Sequence, residues 1–309
     1  MRIDTLTYHN VETQGARRRA WLGEHSAQHL QSCDALIYSA LEKHPSSVSR
    51  GTLVLGAGAC TEIPLEALAR HSDEVVLADL DLNAMRQAWE ELPSTGLRRR
   101  VRLVECDLTG DVSLNLHRLL ARQPWNALVE QGPRAVFDAA ATCVQECPIP
   151  DPPQLETLDA GAFGLVISSL TLSQLFSYPL LDVLDRIQQL APAYLNEQER
   201  HHRYPQAAQD FRIRIIQSHL HLMRELLDIG GIAVLLSDIR GFAFNVMGTD
   251  HDAEHRRSIP LVPRAFPELV RDTFTVLQEE QWVWITDLPT KDMFGRGYEV
   301  AGYIMKNQK

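Results

Sequence analysis

Apolar residues recur at helical spacing between residues 12 and 44, where Leu30, Ala35, Leu36, Ala40 and Leu41 share a face before the stop "PSSVSRG". From residue 52 the pattern changes to short apolar runs separated by amphipathic stretches. Strand "TLVLGAG" (52–58), helix "TEIPLEALARH" (61–71), strand "EVVLADLD" (74–81), helix "NAMRQAWEEL" (83–92) and strand "RVRLVECDL" (100–108) follow in turn. Strands and helices alternating at this pace predict a parallel sheet with right-handed crossovers.

A long connection, 109–162, carries helical patterns at 115–122 and 133–146 and is closed by the proline-rich "CPIPDPPQ" (147–154). "FGLVISSL" (163–170) is a fourth strand. Residues 171–230 are helical with a polar break at 196–206, and the second of these helices, 208–228, stops at Gly230 and Gly231. "IAVLLSDI" (232–239) is a fifth strand. A polar loop (240–262) and a helix at 264–274 lead to two final strand-like runs, 281–288 and 297–306. The expected architecture is a doubly wound α/β fold: seven strands, mostly parallel, with an antiparallel C-terminal strand. Residues 1–50 form a helical cap on a domain of residues 51–309, which carries insertions at about 109–162, 171–207 and 240–262. Neither internal repeats nor low-complexity tracts occur.

The first strand-to-helix turn is where chemistry concentrates. Gly56 and Gly58 let the backbone bend sharply and approach a ligand without a Cβ in the way. A helix beginning near Thr61 would then offer its unpaired N–H groups. Asp79 lies 23 positions after Gly56 at the end of the second strand, where a carboxylate can accept both hydroxyls of a ribose. Asp81 competes for that role or caps the helix from Asn83. Asp107 ends the third strand, suited to an adenine amino group. One strand-end aspartate is an ordinary turn residue; two in succession after a glycine turn point to a nucleotide-like ligand.

The order "LVLGAGA", "VVLADLD", "VECDLTG", "FGLVISSLTLSQL", "LLDIGGIAVLLSD" resembles the class I S-adenosylmethionine-dependent methyltransferases over residues 52–306. The terminal pair of strands is similar too, since members end in a hairpin whose last strand inserts antiparallel into the sheet. The resemblance implies S-adenosyl-L-methionine as cofactor. Gly56, Ala57 and Gly58 would face its methionine part, Asp79 and Leu80 the ribose, and Asp107 and Leu108 the adenine. Ser168 and Ser169 would border the sulfonium. The chain departs from the family's pattern twice. Val54 stands where an acid is usual, and Cys60 where a third glycine is; Glu62 either replaces the missing charge or serves a helix first turn. A non-catalytic cofactor-binding or scaffold protein and an NAD-dependent oxidoreductase are the alternative readings.

Charge narrows the methyl acceptor. With 309 residues, a net charge of −10 and a pI near 5.6, the surface disfavours phosphate backbones, so a small molecule or short peptide is expected rather than nucleic acid. The basic runs at 16–21 and 97–102 are short enough to be solvated faces. Candidate walls of the acceptor pocket are Trp21, Tyr38 and Tyr178. In "TDHDAEH", the residues His251, Asp252, Glu254 and His255 form a solvated loop in which His251 is the candidate base, with Tyr178 a second catalytic candidate. His201 and His202 are expected to be exposed. No metal is expected: Cys143 and Cys147 share a helical face but lack a second cysteine or histidine pair at zinc spacing. No apolar run approaches the roughly 18 residues of a membrane span. A polar N-terminus and an odd set of five cysteines imply a reduced, cytoplasmic protein.

Overall fold

The computed structural model of the chain describes residues 26–43, 51–244, 257–287 and 294–308. Trp21, His251, Asp252, Glu254 and His255 lie outside them. The described residues divide into two compact units. One, the sheet unit, takes residues 26–43, 51–106, 155–173 and 223 onward; the other takes 107–154 and 174–222.

In the sheet unit the elements are α1 (Ala27–Lys43), β1 (Gly51–Leu55), α2 (Leu65–His71), β2 (Val75–Asp79), α3 (Leu82–Glu90), α4 (Thr95–Arg98), β3 (Val101–Glu105) and β4 (Phe163–Ser169). After the helical segment come β5 (Leu227–Phe244), β6 (Arg257–Pro260), α10 (Phe266–Thr273), β7 (Phe274–Asp287) and β8 (Gly295–Asn307). The strand path is β3-β2-β1-β4-β5-β8-β7, with β6 paired to β5 off the path. β1 to β5 run parallel, in registers such as Leu53↔Val76, Val54↔Ile167 and Ile167↔Val234. β8 inserts antiparallel between β5 and β7, with Val234↔Ile304 and Val300↔Trp282. The expected doubly wound sheet and terminal hairpin are both present.

Four local readings are corrected. Among the described residues the sheet has eight strands, not seven, because β5 continues to Phe244 and pairs with β6 inside what reads as a loop from residue 240. The helix expected from Thr61 begins at Leu65, because Pro64 has no N–H to donate and takes the N-cap position. Glu62 therefore sits in the turn before the helix. α4, capped by Ser94, is four residues long, too short to show a helical period in the sequence. β7 starts seven residues earlier than expected, at Phe274.

One face of the sheet is apolar along alternating positions: Val54, Leu77, Ile167, Val234, Leu236 and Ile304 pack with Leu36 and Ile37 of α1. The approach of α1 is close. A Cβ on Gly302 would lie 2.6 Å from Leu36 and 3.0 Å from Trp282. Beside this apolar contact sits a polar one. The indole N–H of Trp282 donates to His29 Nδ1 (2.9 Å), that of Trp284 donates to Ser26 Oγ (2.9 Å), and the Ser26 hydroxyl donates to the Ile285 carbonyl (3.3 Å). His29 stacks on Trp284 at 4.2 Å with 8° between the planes. Burial pushes the His29 imidazole down to about 4, so it is neutral, with Nδ1 accepting and its proton on Nε2 near Cys33 Sγ.

The other unit is helical: α5 (Val112–Ala121), α6 (Trp125–Gln131), α7 (Pro133–Glu146), most of α8 (Leu172–Leu190), a 3₁₀ segment (Pro192–Arg200) and most of α9 (Arg203–Leu226). Arg214 ties α9 to the end of α7 by donating to the carbonyls of Val144 and Cys147. Cys143 and Cys147 are both buried, each thiol pushed up in pKa chiefly by burial. His202 is exposed as expected, but His201 is not: its ring stacks on Phe137 at 4.9 Å and its Nε2 is buried. An aromatic partner won over the polar sequence around it. Among the described residues no helix is long and apolar enough to cross a membrane, and no cluster of three or more potential ligands could hold a metal ion.

Candidate active site

The turn after β1 is built by close backbone approaches. The N–H groups of Gly56 and Ala57 both donate to the Ala78 carbonyl of β2 (2.9 and 3.3 Å), and Cys60 N–H donates to Ala57 O (2.8 Å). Gly56 has φ +67°, and a Cβ there would meet the Thr171 side chain at 2.4 Å, so glycine is required twice over. Gly58 also has positive φ, +45°, but a Cβ on it would meet nothing within 4 Å. The first glycine packs against protein; the second faces open space. Cys60 holds φ +52°, so the backbone keeps a left-handed conformation where the third glycine would be, at a cost of about 1 kcal/mol. Val54 is fully buried in the apolar core.

Asp79 closes this turn from the neighbouring strand. Its Oδ2 accepts the Gly58 N–H (2.9 Å) and its Oδ1 accepts the Asp81 N–H (2.8 Å), and the residue is 8% exposed. Asp81 instead caps α3, accepting from Asn83 and Ala84. Leu80, between them, is 52% exposed. Glu62 lies near enough to Cys33 of α1 to help raise that thiol's pKa, behind burial as the main cause.

Across the sheet, small polar residues gather where the β4–β5 pairing stops. Ser168, Ser169, Thr171, Ser173 and Ser237 are all buried. Leu170 turns the chain out of β4 with φ +51°, its N–H donating to Leu236 O (2.9 Å). A leucine in the left-handed region is strain held in place by its surroundings, and such strain gathers at functional sites. Ser169 Oγ and, on β5, Asp238 Oδ1 are buried without a hydrogen-bond partner among the described residues. Burial pushes the Asp238 carboxyl up to about 6, against a smaller opposing pull from the Ser173 hydroxyl.

β1 lies between β2 and β4, so the chain crosses from one half of the sheet to the other at its carboxyl end. That is the position at which open α/β sheets bind ligands. The path, with β8 antiparallel between β5 and β7, decides the fold. It is a doubly wound order with an antiparallel strand from the chain's last segment, as the sequence pattern predicts. No protein-family model and no curated protein sequence matches the chain. Among solved structures it is similar to the N-methyltransferase NodS from Bradyrhizobium japonicum WM9 bound to S-adenosyl-L-homocysteine (13% identity, 90% of this chain and 87% of that one, TM-score 0.41). It is also similar to the glycopeptide N-methyltransferase MtfA (15%, 89% and 90%, 0.39) and to a SAM-dependent methyltransferase from Aquifex aeolicus (11%, 87% and 88%, 0.37). Overlaps of this size leave the chemistry to be read from this chain's own strands and side chains.

The structure brings Gly56, Ala57, Gly58, Asp79 and Leu80 together, and places Ser168 and Ser169 across the β1–β4 pair, Leu55↔Ser168. Asp107 and Leu108 fall in the helical unit. There Asp107 organises its own turn, accepting from the Thr109 N–H (2.8 Å), the Thr109 hydroxyl (2.7 Å) and the Asp111 N–H (3.1 Å). Tyr178 lies on α8 of that unit, and Tyr38 is 44% exposed on α1. Asp238 and Ser173 are not among the residues that the sequence pattern singles out. The available signal was the acid closing the apolar run "IAVLLSD", the same signal that marks Asp79.

Proposed function

We propose that this chain is an S-adenosylmethionine-dependent methyltransferase acting on a small molecule or a short peptide. The observation that carries the reading is the bond from Gly58 N–H to Asp79 Oδ2, which locks a glycine turn to the acid of the next strand at the sheet's crossover point. The residues fit the cofactor. The space over Gly58 admits a ligand against bare backbone, Leu80 offers an exposed apolar side chain beside Asp79, and Ser169 holds a buried hydroxyl that no described residue satisfies. Gly56, Ala57 and Gly58 would hold the methionine part with Glu62 nearby, Asp79 and Leu80 the ribose, and Ser168 and Ser169 the sulfonium region. When bound, the cofactor supplies an electrophilic methyl group. The chain's own work is to position the acceptor in line and exclude water, which supplies much of the rate in a displacement of this kind.

A small acceptor accords with the acidic balance of the chain, which opposes phosphate-rich partners. The binding test is calorimetry with S-adenosylhomocysteine and, separately, NAD. The first should bind and the second should not; the reverse would install a dehydrogenase in place of a methyltransferase. In Asp79→Ala, S-adenosylhomocysteine binding should weaken by roughly 1–3 kcal/mol, since the change removes hydrogen bonds to a charged group and frees the Gly58 turn.

A further inference from the structure

Two polar atoms on adjacent strands have no hydrogen-bond partner among the described residues, Ser169 Oγ on β4 and Asp238 Oδ1 on β5. They belong to the same place. Ser169 pairs in register with Leu236, and Asp238 follows Leu236 by two residues on the same sheet face. Ser169 is the last residue of β4, and Asp238 lies on β5 two residues past the last β4–β5 pair, where β5 runs on alone of the two toward Phe244. A buried polar group left unpaired is costly, and native chains tolerate it where something else completes the bond.

We propose that Asp238, with Ser169 beside it, is the acceptor pole of the methyl-transfer site and takes a substrate that presents an amine. This rests on the methyl-donor reading above and adds the substrate's chemical class and a residue to receive its proton. At neutral pH the carboxylate accepts hydrogen bonds and donates none, so it selects a donor, and the burial of its charge selects a cationic one. An aliphatic amine arrives as its ammonium and meets both demands. It must also lose a proton before its nitrogen can attack, and a carboxylate made more basic by burial is suited to take it. In the transfer the nitrogen lone pair forms the new C–N bond. The S–C bond breaks with its electron pair staying on sulfur, and the proton released from nitrogen goes to Asp238. A hydroxyl acceptor would demand a far stronger base. The row continues across the sheet from Asp238 to Val300 of β8 and Trp282 of β7, so the same face presents an aromatic surface about two strand spacings away.

The charged groups around Asp238 leave its titration to its own burial. Arg240, beyond the bulge, is paired with Glu299 of β8 at 3.4 Å, and Ser173 at the start of α8 contributes only a hydroxyl. On α1, neither His29, held neutral, nor Asp34 enters the causes of its shift.

The test compares two probes that differ where the methyl group would be. S-adenosylhomocysteine has a neutral thioether there; sinefungin carries an amine-bearing carbon. The wild-type protein should bind sinefungin at least about ten-fold more tightly at pH 8, the gain of one charge-assisted hydrogen bond. At pH 5 the preference should shrink as the carboxyl takes up its proton. Asp238→Asn, which keeps the shape, should abolish the preference while changing S-adenosylhomocysteine affinity less than about three-fold, and Ser169→Ala should reduce it partway. If both probes bind and the preference survives in Asp238→Asn, the amine site is wrong and the methyl-donor reading stands, with water completing the two orphan atoms. If neither probe binds the wild type, the methyl-donor reading falls and takes this inference with it.

Discussion

Two polar clusters occupy one face of the same sheet, and they are built on opposite principles. Under α1, every indole N–H has an acceptor, His29 accepts at Nδ1 and stacks on Trp284, and Ser26 both accepts and donates. Where the β4–β5 pairing stops, Ser169 and Asp238 each leave an atom unpartnered among the described residues, and Leu170 is held in a left-handed conformation between them in the chain. The first cluster is complete without a ligand and reads as architecture, fixing α1 on the terminal hairpin. The second is incomplete, and incompleteness that the fold pays to keep is the mark of a site.

If this contrast is right, substitutions in the two clusters should move stability in opposite directions. His29→Ala should have the largest effect, a loss of about 2–4 kcal/mol in denaturant unfolding, because it opens a cavity and strands the Trp282 N–H. Next comes pH. His29 and His219 are both lowered to about 4 by burial, so each contributes stability that is present above pH 6.5 and is lost as pH falls toward 4. At pH 5 that loss is about 2 kcal/mol per histidine. Asp238, raised to about 6, works the other way: its penalty is full above pH 6 and is relieved on acidification, returning about 1 kcal/mol by pH 5. Melting temperatures from pH 7.5 to 5 should therefore fall, and fall less steeply in His29→Ala.

Asp238→Asn should stabilise the protein at pH 8 by about 1–2 kcal/mol, since a neutral amide replaces a buried charge. A loss of stability would instead make Asp238 a structural residue like His29. The smallest effect sharpens the contrast at the glycine turn. Cys60→Gly should gain at most about 1 kcal/mol, the relief of left-handed strain less the chain entropy that glycine loses on folding.

The parts of this molecule that announce themselves in sequence are those fixed by local spacing. The Gly56–Gly58 turn, the acid at Asp79 and the paired terminal runs are all visible because each feature and its structural cause lie within a few residues. The apolar spacing points to a helix from Thr61, but a single residue, Pro64, with no N–H to donate, moves its start to Leu65. His29 was invisible for a different reason. Its partners Trp282 and Trp284 are some 250 positions away, and no pattern along α1 distinguishes a histidine that will meet an indole from one that will meet water. Asp238 closes an apolar run, but the polar residues after it resemble a loop, whereas the strand runs on to Phe244.

The insertion of β8 between β5 and β7 also bears on how the chain is made. Of the eight strands among the described residues it is the last to leave the ribosome, yet it fills the interior of the sheet and bonds to both neighbours over most of its length. Until residues 295–307 emerge, the 18-residue β5 and the 14-residue β7 have no partner between them, and each presents a row of unpaired amides and carbonyls. That is the kind of long open edge on which chains associate wrongly. The same strand that completes the sheet is thus its gatekeeper during synthesis, and a pause just before residue 295 should make the nascent chain strongly dependent on chaperones.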